Sequence, residues 1–141
     1  MRSLVLVVGA AVAACGILDP EPQSRTVLGY LEFYGDTTVP ELKVSTDGSV
    51  AVTFTTYGGG CHSADRTSVR VAGDSVHVEP WDDERLGDCE RNLVLLPHTA
   101  TFDLGSRDEV TVVIEGRRAP GDDVVRIETV VRRLPDRSAG P

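Results

Sequence analysis

From Thr26 onward, apolar and polar residues alternate in short runs, broken at intervals by Gly, Asp or Pro. A repeat of two sends successive side chains to opposite faces of an extended chain, so the pattern predicts strands. No stretch carries the three-to-four spacing of an amphipathic helix. The runs predict strands at Thr26 to Tyr34, Leu42 to Ser45, Val50 to Tyr57, Ser68 to Ala72, Ser75 to Glu79, Thr99 to Leu104, Val110 to Glu115 and Val124 to Val131. Their in-phase apolar residues predict a core of Val50, Val52, Phe54, Val69, Val71, Val76, Val78, Phe102, Leu104, Val112 and Ile114, because a face this apolar has to be covered. Val124 to Val131 is apolar on both faces, so its phase is left open.

Asp47-Gly48 and Gly73-Asp74 are tight-turn pairs between alternating runs and predict two hairpins. Short strands closed by such turns point to an all-β fold: a two-layer antiparallel sandwich of immunoglobulin-like outline, with a small β-barrel as the alternative. Membership of the antibody family itself is not supported. The Cys61 to Cys89 spacing is short for its inter-sheet bridge, and no Trp occupies the required place between them.

A chain of 141 residues has room for one domain. It is 40% hydrophobic, enough for a folded core. Asp and Glu number 22 against 14 Lys and Arg, for a formal charge of −8. An acidic domain is repelled by nucleic acid and by anionic headgroups, which excludes both as electrostatic partners. Lys43 is the only lysine, which reads as codon bias without functional meaning.

Met1 and Arg2 precede an uncharged apolar stretch, Ser3 to Ala14, that is too short for the roughly 20 residues of a membrane-spanning helix. Residues 1–14 therefore read as a signal peptide. The stretch ends in Val12-Ala13-Ala14-Cys15-Gly16, which resembles the lipobox of bacterial prolipoproteins: an aliphatic residue, two small ones, then the lipidated cysteine. That resemblance implies cleavage after Ala14, a diacylglyceryl group on the Cys15 thiol and an acylated Cys15 amine. Gly16, where an Asp would retain the protein at the inner membrane, implies the outer membrane if the cell has one. With about 0.8 kcal/mol of membrane affinity per buried methylene, two or three acyl chains anchor permanently. Residues 15–24, with Pro20 and Pro22, then form a tether, 25–134 the β domain and 135–141 a disordered tail.

With Cys15 assigned to lipid, Cys61 and Cys89 are the remaining pair, and an exported domain is expected to join them in a disulfide. Tyr57-Gly58-Gly59-Gly60-Cys61-His62 then forms a loop around the bridge. The competing readings are a Cys61 nucleophile with His62 or His98 as base, or a zinc site from the two cysteines with His62, His77 and His98. Both are disfavoured: adjacent residues of an extended chain face opposite ways, and the paired spacings of a zinc site are missing. Trp81-Asp82-Asp83-Glu84, followed by Asp88 and Glu90, reads as a solvated acidic loop beside one aromatic. It lacks the pattern of a calcium loop, and its first four residues form a possible binding surface. Gly58-Gly59-Gly60 and Pro80-Trp81 are similar to loop motifs of chagasin-type cysteine protease inhibitors, themselves small β-sandwiches, although the Asn-Pro-Thr-Thr-Gly loop of that family is absent.

Together these features predict an exported, membrane-anchored lipoprotein carrying a non-enzymatic binding or structural domain. They predict no cofactor and no metal. Its membrane contact is through lipid, and its partner is an envelope protein or carbohydrate. A cysteine-centred enzyme, a metal-binding protein and an inhibitor-like module are the alternatives.

Overall fold

A computed structural model describes residues 23–135. The predicted signal peptide, the lipobox-like Cys15, nearly all of the tether and residues 136–141 lie outside the described residues. Ten strands and no helix are present among the described residues: β1 (Ser24–Leu28), β2 (Tyr30–Phe33), β3 (Asp36–Thr37), β4 (Glu41–Val44), β5 (Ser49–Gly58), β6 (His62–Ala72), β7 (Ser75–Arg85), β8 (Val94–Asp103), β9 (Glu109–Ala119) and β10 (Asp123–Arg132). The fold is all-β, as the alternation predicts, and the strands form one continuous sheet curled into a half-barrel. β6, β7, β9 and β10 lie side by side, as do β4, β5 and β8. The two groups share one core and are stitched together by β2, which pairs with both β9 and β5.

Both predicted hairpins form. Gly48 (φ +92°) and Gly73 (φ +60°) take the left-handed conformations their turns demand. Asp47 braces the first by accepting from the Ser49 N–H (3.0 Å) and hydroxyl (2.8 Å), and these bonds hold its carboxyl below the ordinary 3.8. Two pairings are parallel, β7 with β9 and β2 with β9. The first arises because β8 lies in the other strand group: the chain leaves β7, crosses over to β8 and returns to β7's neighbour running in the same direction.

The predicted strand Thr26 to Tyr34 is divided at Gly29. Before it the chain pairs with β7; after it, with β9. A Cβ at Gly29 would stand 2.5 Å from Thr56 Cγ2 and 2.7 Å from Asp82 Oδ2, so only glycine lets the chain pass between them.

Val50, Val52, Phe54, Val76, Val78, Leu104, Val112 and Ile114 are buried as predicted, together with Leu31, Ala100, Val110 and Val131. Phe102 is half-buried against them. Val69 and Val71 are not core residues: they are 37% and 47% exposed. Their phase is correct, since Val69 lies opposite Val78 and Val71 opposite Val76, and directly opposed residues share a face. β6 is the outermost strand of its group, however, and these two side chains on its inward face are left largely uncovered. In β10 the phase is resolved: Val125, Ile127 and Val131 face inward while Val124 and Val130 face solvent.

Candidate functional site

Of the segment expected to be an acidic loop, Trp81 to Arg85 is the second half of β7, paired on both edges, while Asp88 and Glu90 lie exposed in the loop that follows. One neighbour is β1, where Thr26 donates to Asp83 at 3.1 Å and Arg25 to Glu84 at 2.6 Å. Alternation then divides the possible binding surface between two faces. Trp81 is half-buried beside Leu28 on the outer face, with the Arg66 guanidinium 5.4 Å from its ring centroid, and Asp83 shares that face. Asp82 belongs to no surface at all. It is 1% exposed, because it continues the inward phase of Val76, Val78 and Pro80.

Around Asp82 lies a closed polar cluster that the sequence reading did not foresee. Thr56 on β5 donates its hydroxyl hydrogen to Asp82 Oδ2 at 2.8 Å. His98 on β8 reaches Asp82 Oδ1 through Nε2 at 2.9 Å, and its Nδ1 lies 3.0 Å from the Thr67 hydroxyl on β6. A carboxylate only accepts, so Nε2 carries hydrogen, while Nδ1 stands within hydrogen-bond distance of the Thr67 hydroxyl. The imidazole is also stacked on Phe54, ring centroids 5.6 Å apart. A signal for this cluster was present: Thr56 continues the phase of Val50, Val52 and Phe54, and His98 lies in phase with Leu96 and Ala100.

Hydroxyl, imidazole and carboxyl are the groups of a nucleophilic triad, but their arrangement here is a different one. In a triad the hydroxyl and the carboxylate bind opposite ring nitrogens, and the hydroxyl points at the base. Here Thr56 and Asp82 both meet Nε2, and the hydroxyl donates to the acid. The Asp82 and His98 side chains are each 1% exposed, so neither is presented to solvent. The cluster is a clasp that joins β5, β6, β7 and β8 by satisfied polar groups.

At one end of the half-barrel Cys61 and Cys89 are bonded, with Cα atoms 5.4 Å apart. The glycines preceding Cys61 fold tightly around the bridge, and a Cβ at Gly60 would stand 2.7 Å from Asn92 Oδ1. His62 accepts the Gly59 N–H at Nδ1 (3.0 Å) and turns Nε2 toward Glu84 Oε1, 3.6 Å away. Glu84 in turn holds Arg25, whose pKa is raised first by their hydrogen bond and then by the charge of the carboxylate. A shallow recess of about 350 Å³ opens here, lined by His62, Glu84 and the bridge. His77 lies elsewhere, on the outer face of β7 opposite Arg70, so the three histidines do not meet. Among the described residues, no group of three or more His, Cys, Asp or Glu is placed to hold a metal ion.

The described chain enters at this same end, where the Leu86 N–H donates to the Gln23 carbonyl at 2.6 Å. The tips of the two hairpins and the loop from Gly105 to Asp108 gather at the opposite end. Arg107 ties that loop to the second hairpin by donating to the Gly73 carbonyl at 2.7 Å. Comparison with protein-family models, curated proteins and solved structures finds no match for this chain.

Proposed function

We propose that this protein is a lipid-anchored envelope protein whose β domain acts as a non-enzymatic binding or structural module. The observation that carries the reading is Val12-Ala13-Ala14-Cys15 at the end of an uncharged apolar segment, placed just ahead of a domain with a disulfide. A disulfide suits an oxidising compartment, and the lipobox supplies the address. Gln23 stands eight positions after Cys15, so the tether reaches at most about 28 Å from anchor to domain. That anchor joins the disulfide end and leaves the hairpin tips farthest from it.

The internal chemistry supports a module rather than a catalyst. With Cys61 and Cys89 bonded to each other, neither is offered as nucleophile or ligand, and the one hydroxyl–imidazole–carboxyl cluster is sealed. The half-buried Trp81, with Arg66 and Asp83 beside it, gives the outer face an aromatic plane flanked by charge, a surface suited to an envelope protein or a carbohydrate.

Expression of the full chain in a lipoprotein-competent bacterium tests the anchor. The expected product begins at Cys15, carries the mass of its acyl chains and sediments with membranes, while Cys15→Ser stays unprocessed or becomes soluble. A mature chain that starts elsewhere, or lacks acyl mass, overturns the proposal. Titration without reductant is expected to find no reactive thiol at Cys61 or Cys89; two reactive thiols there would restore the cysteine-centred alternative.

A further inference from the structure

Three long strands, β6, β8 and β10, pair on one edge only among the described residues. An open edge is a template for another chain, and proteins usually blunt it with a bulge, a proline or a short length. β6 has a bulge between Ala64 and Arg66, and β8 carries Pro97, which has no N–H to offer. β10 has neither. Its ten residues pair with β9 in unbroken register, and its solvent face exposes two large apolar side chains, Val124 at 57% and Val130 at 50%.

The sequence of that outer face is self-complementary. Read from Val124 it runs Val124, Arg126, Glu128, Val130. Lay a second copy antiparallel, with Ile127 opposite Ile127, and each Arg126 stands opposite a Glu128 while each Val124 stands opposite a Val130. A shift of one residue would put Val124 opposite Val131 and Arg126 opposite Thr129, turning an inward side chain toward an outward one. Within one chain Arg126 meets Glu115 across β9, at 2.7 Å, whereas Glu128 lies opposite Val113 and has no ion-pair partner among the described residues. The second copy supplies that partner.

We propose that β10 is a homodimer interface, at which two copies of this chain join their open edges antiparallel about a two-fold axis at Ile127. The contact is isologous: the same strand serves both sides, and main-chain hydrogen bonds extend the sheet from one copy into the next. Opposed valines and opposite charges fix the register.

Cysteine cross-linking of the full chain in membranes tests partner and register together. Val124→Cys and Val130→Cys are exposed substitutions and leave the core untouched. Residues six apart on a strand are about 20 Å from each other, so neither variant alone brings its new cysteine near its own symmetry mate, given the about 7 Å limit for a disulfide. Co-expression of the two variants, followed by mild oxidation and mass analysis of the linked peptides, is expected to give a 124-to-130 bond that is absent from either variant alone. Adding Glu128→Arg to both chains sets arginines against each other and is expected to reduce the cross-link at least fivefold. Adding Arg126→Glu as well restores opposite charges and the bond. No mixed cross-link, equal cross-linking by the single variants, or bonds only to another protein would overturn the proposal, as would indifference to the charge reversal.

Discussion

Asp82 shows how much one side chain can hold. Its carboxylate is the common acceptor for Thr56 and His98 in a place closed to water, so its loss leaves two donors without a partner. Removing Asp82 strands two buried donors at about 1 to 3 kcal/mol each, whereas removing the Thr56 hydroxyl costs one hydrogen bond to a carboxylate, about 1.5 to 3 kcal/mol. Urea unfolding is therefore expected to place Asp82→Ala below Thr56→Val in stability. Equal losses would mean that the clasp does not bind the strands as described. The folded chain excludes solvent from all three groups, and their role is to fix which strands meet.

Among the elements, β6 and β7 separate side-chain phase from burial. Val76 and Val71 are paired across the hairpin on the same face, yet Val76 is fully buried and Val71 is 47% exposed. Val76→Asp forces a charge into an apolar core and is expected to abolish folding, seen as loss of the β signal in circular dichroism. Val71→Asp is expected to fold and to melt within a few degrees of the parent. The same pair shows what the sequence made legible. Strand phase follows from local alternation, and it located most of the core and both hairpins correctly. Cover over Val69 and Val71 depends on how far distant strands extend, which no local pattern records. The acidic half of β7 was hidden for a related reason: carboxylates are depleted from strands, and the partners that make them acceptable, Arg25 and Thr26, lie 59 and 57 positions away from theirs. The clasp was legible in principle, because Thr56, Asp82 and His98 keep the phase of apolar neighbours, but a polar residue in an inward phase is read as core only when its partners are known.

At the scale of the whole molecule the bridge and the proposed anchor act on the same end. Cys61 and Cys89 are 28 positions apart, and closing a loop of that size removes roughly 3 to 4 kcal/mol of unfolded-chain freedom in the chain-entropy model. Against the about 5 to 15 kcal/mol of a typical domain this is a large share. Cys61→Ala with Cys89→Ala is expected to lower the melting temperature by more than about 10 °C in a thermal scan. A shift of only a degree or two would show that the bridge adds little to an already closed half-barrel. In the proposed dimer the antiparallel strands turn the two disulfide ends in opposite directions, so both tethers meet one membrane only when the strands lie along its surface.

The division at Gly29 also bears on the order of assembly. The first strand of the described chain pairs with Trp81 to Arg85, and the second, which meets β3 and β5 earlier, completes its pairing on Arg117 to Ala119, so the leading segment has all its neighbours only after nearly all of the domain has followed. Such distant closures place folding in the slow range of β proteins, roughly milliseconds to seconds. A chain emerging amino terminus first therefore carries its opening strand unmatched until β7 has followed, and its vulnerability to proteolysis in that interval is set by topology rather than by the stability finally reached.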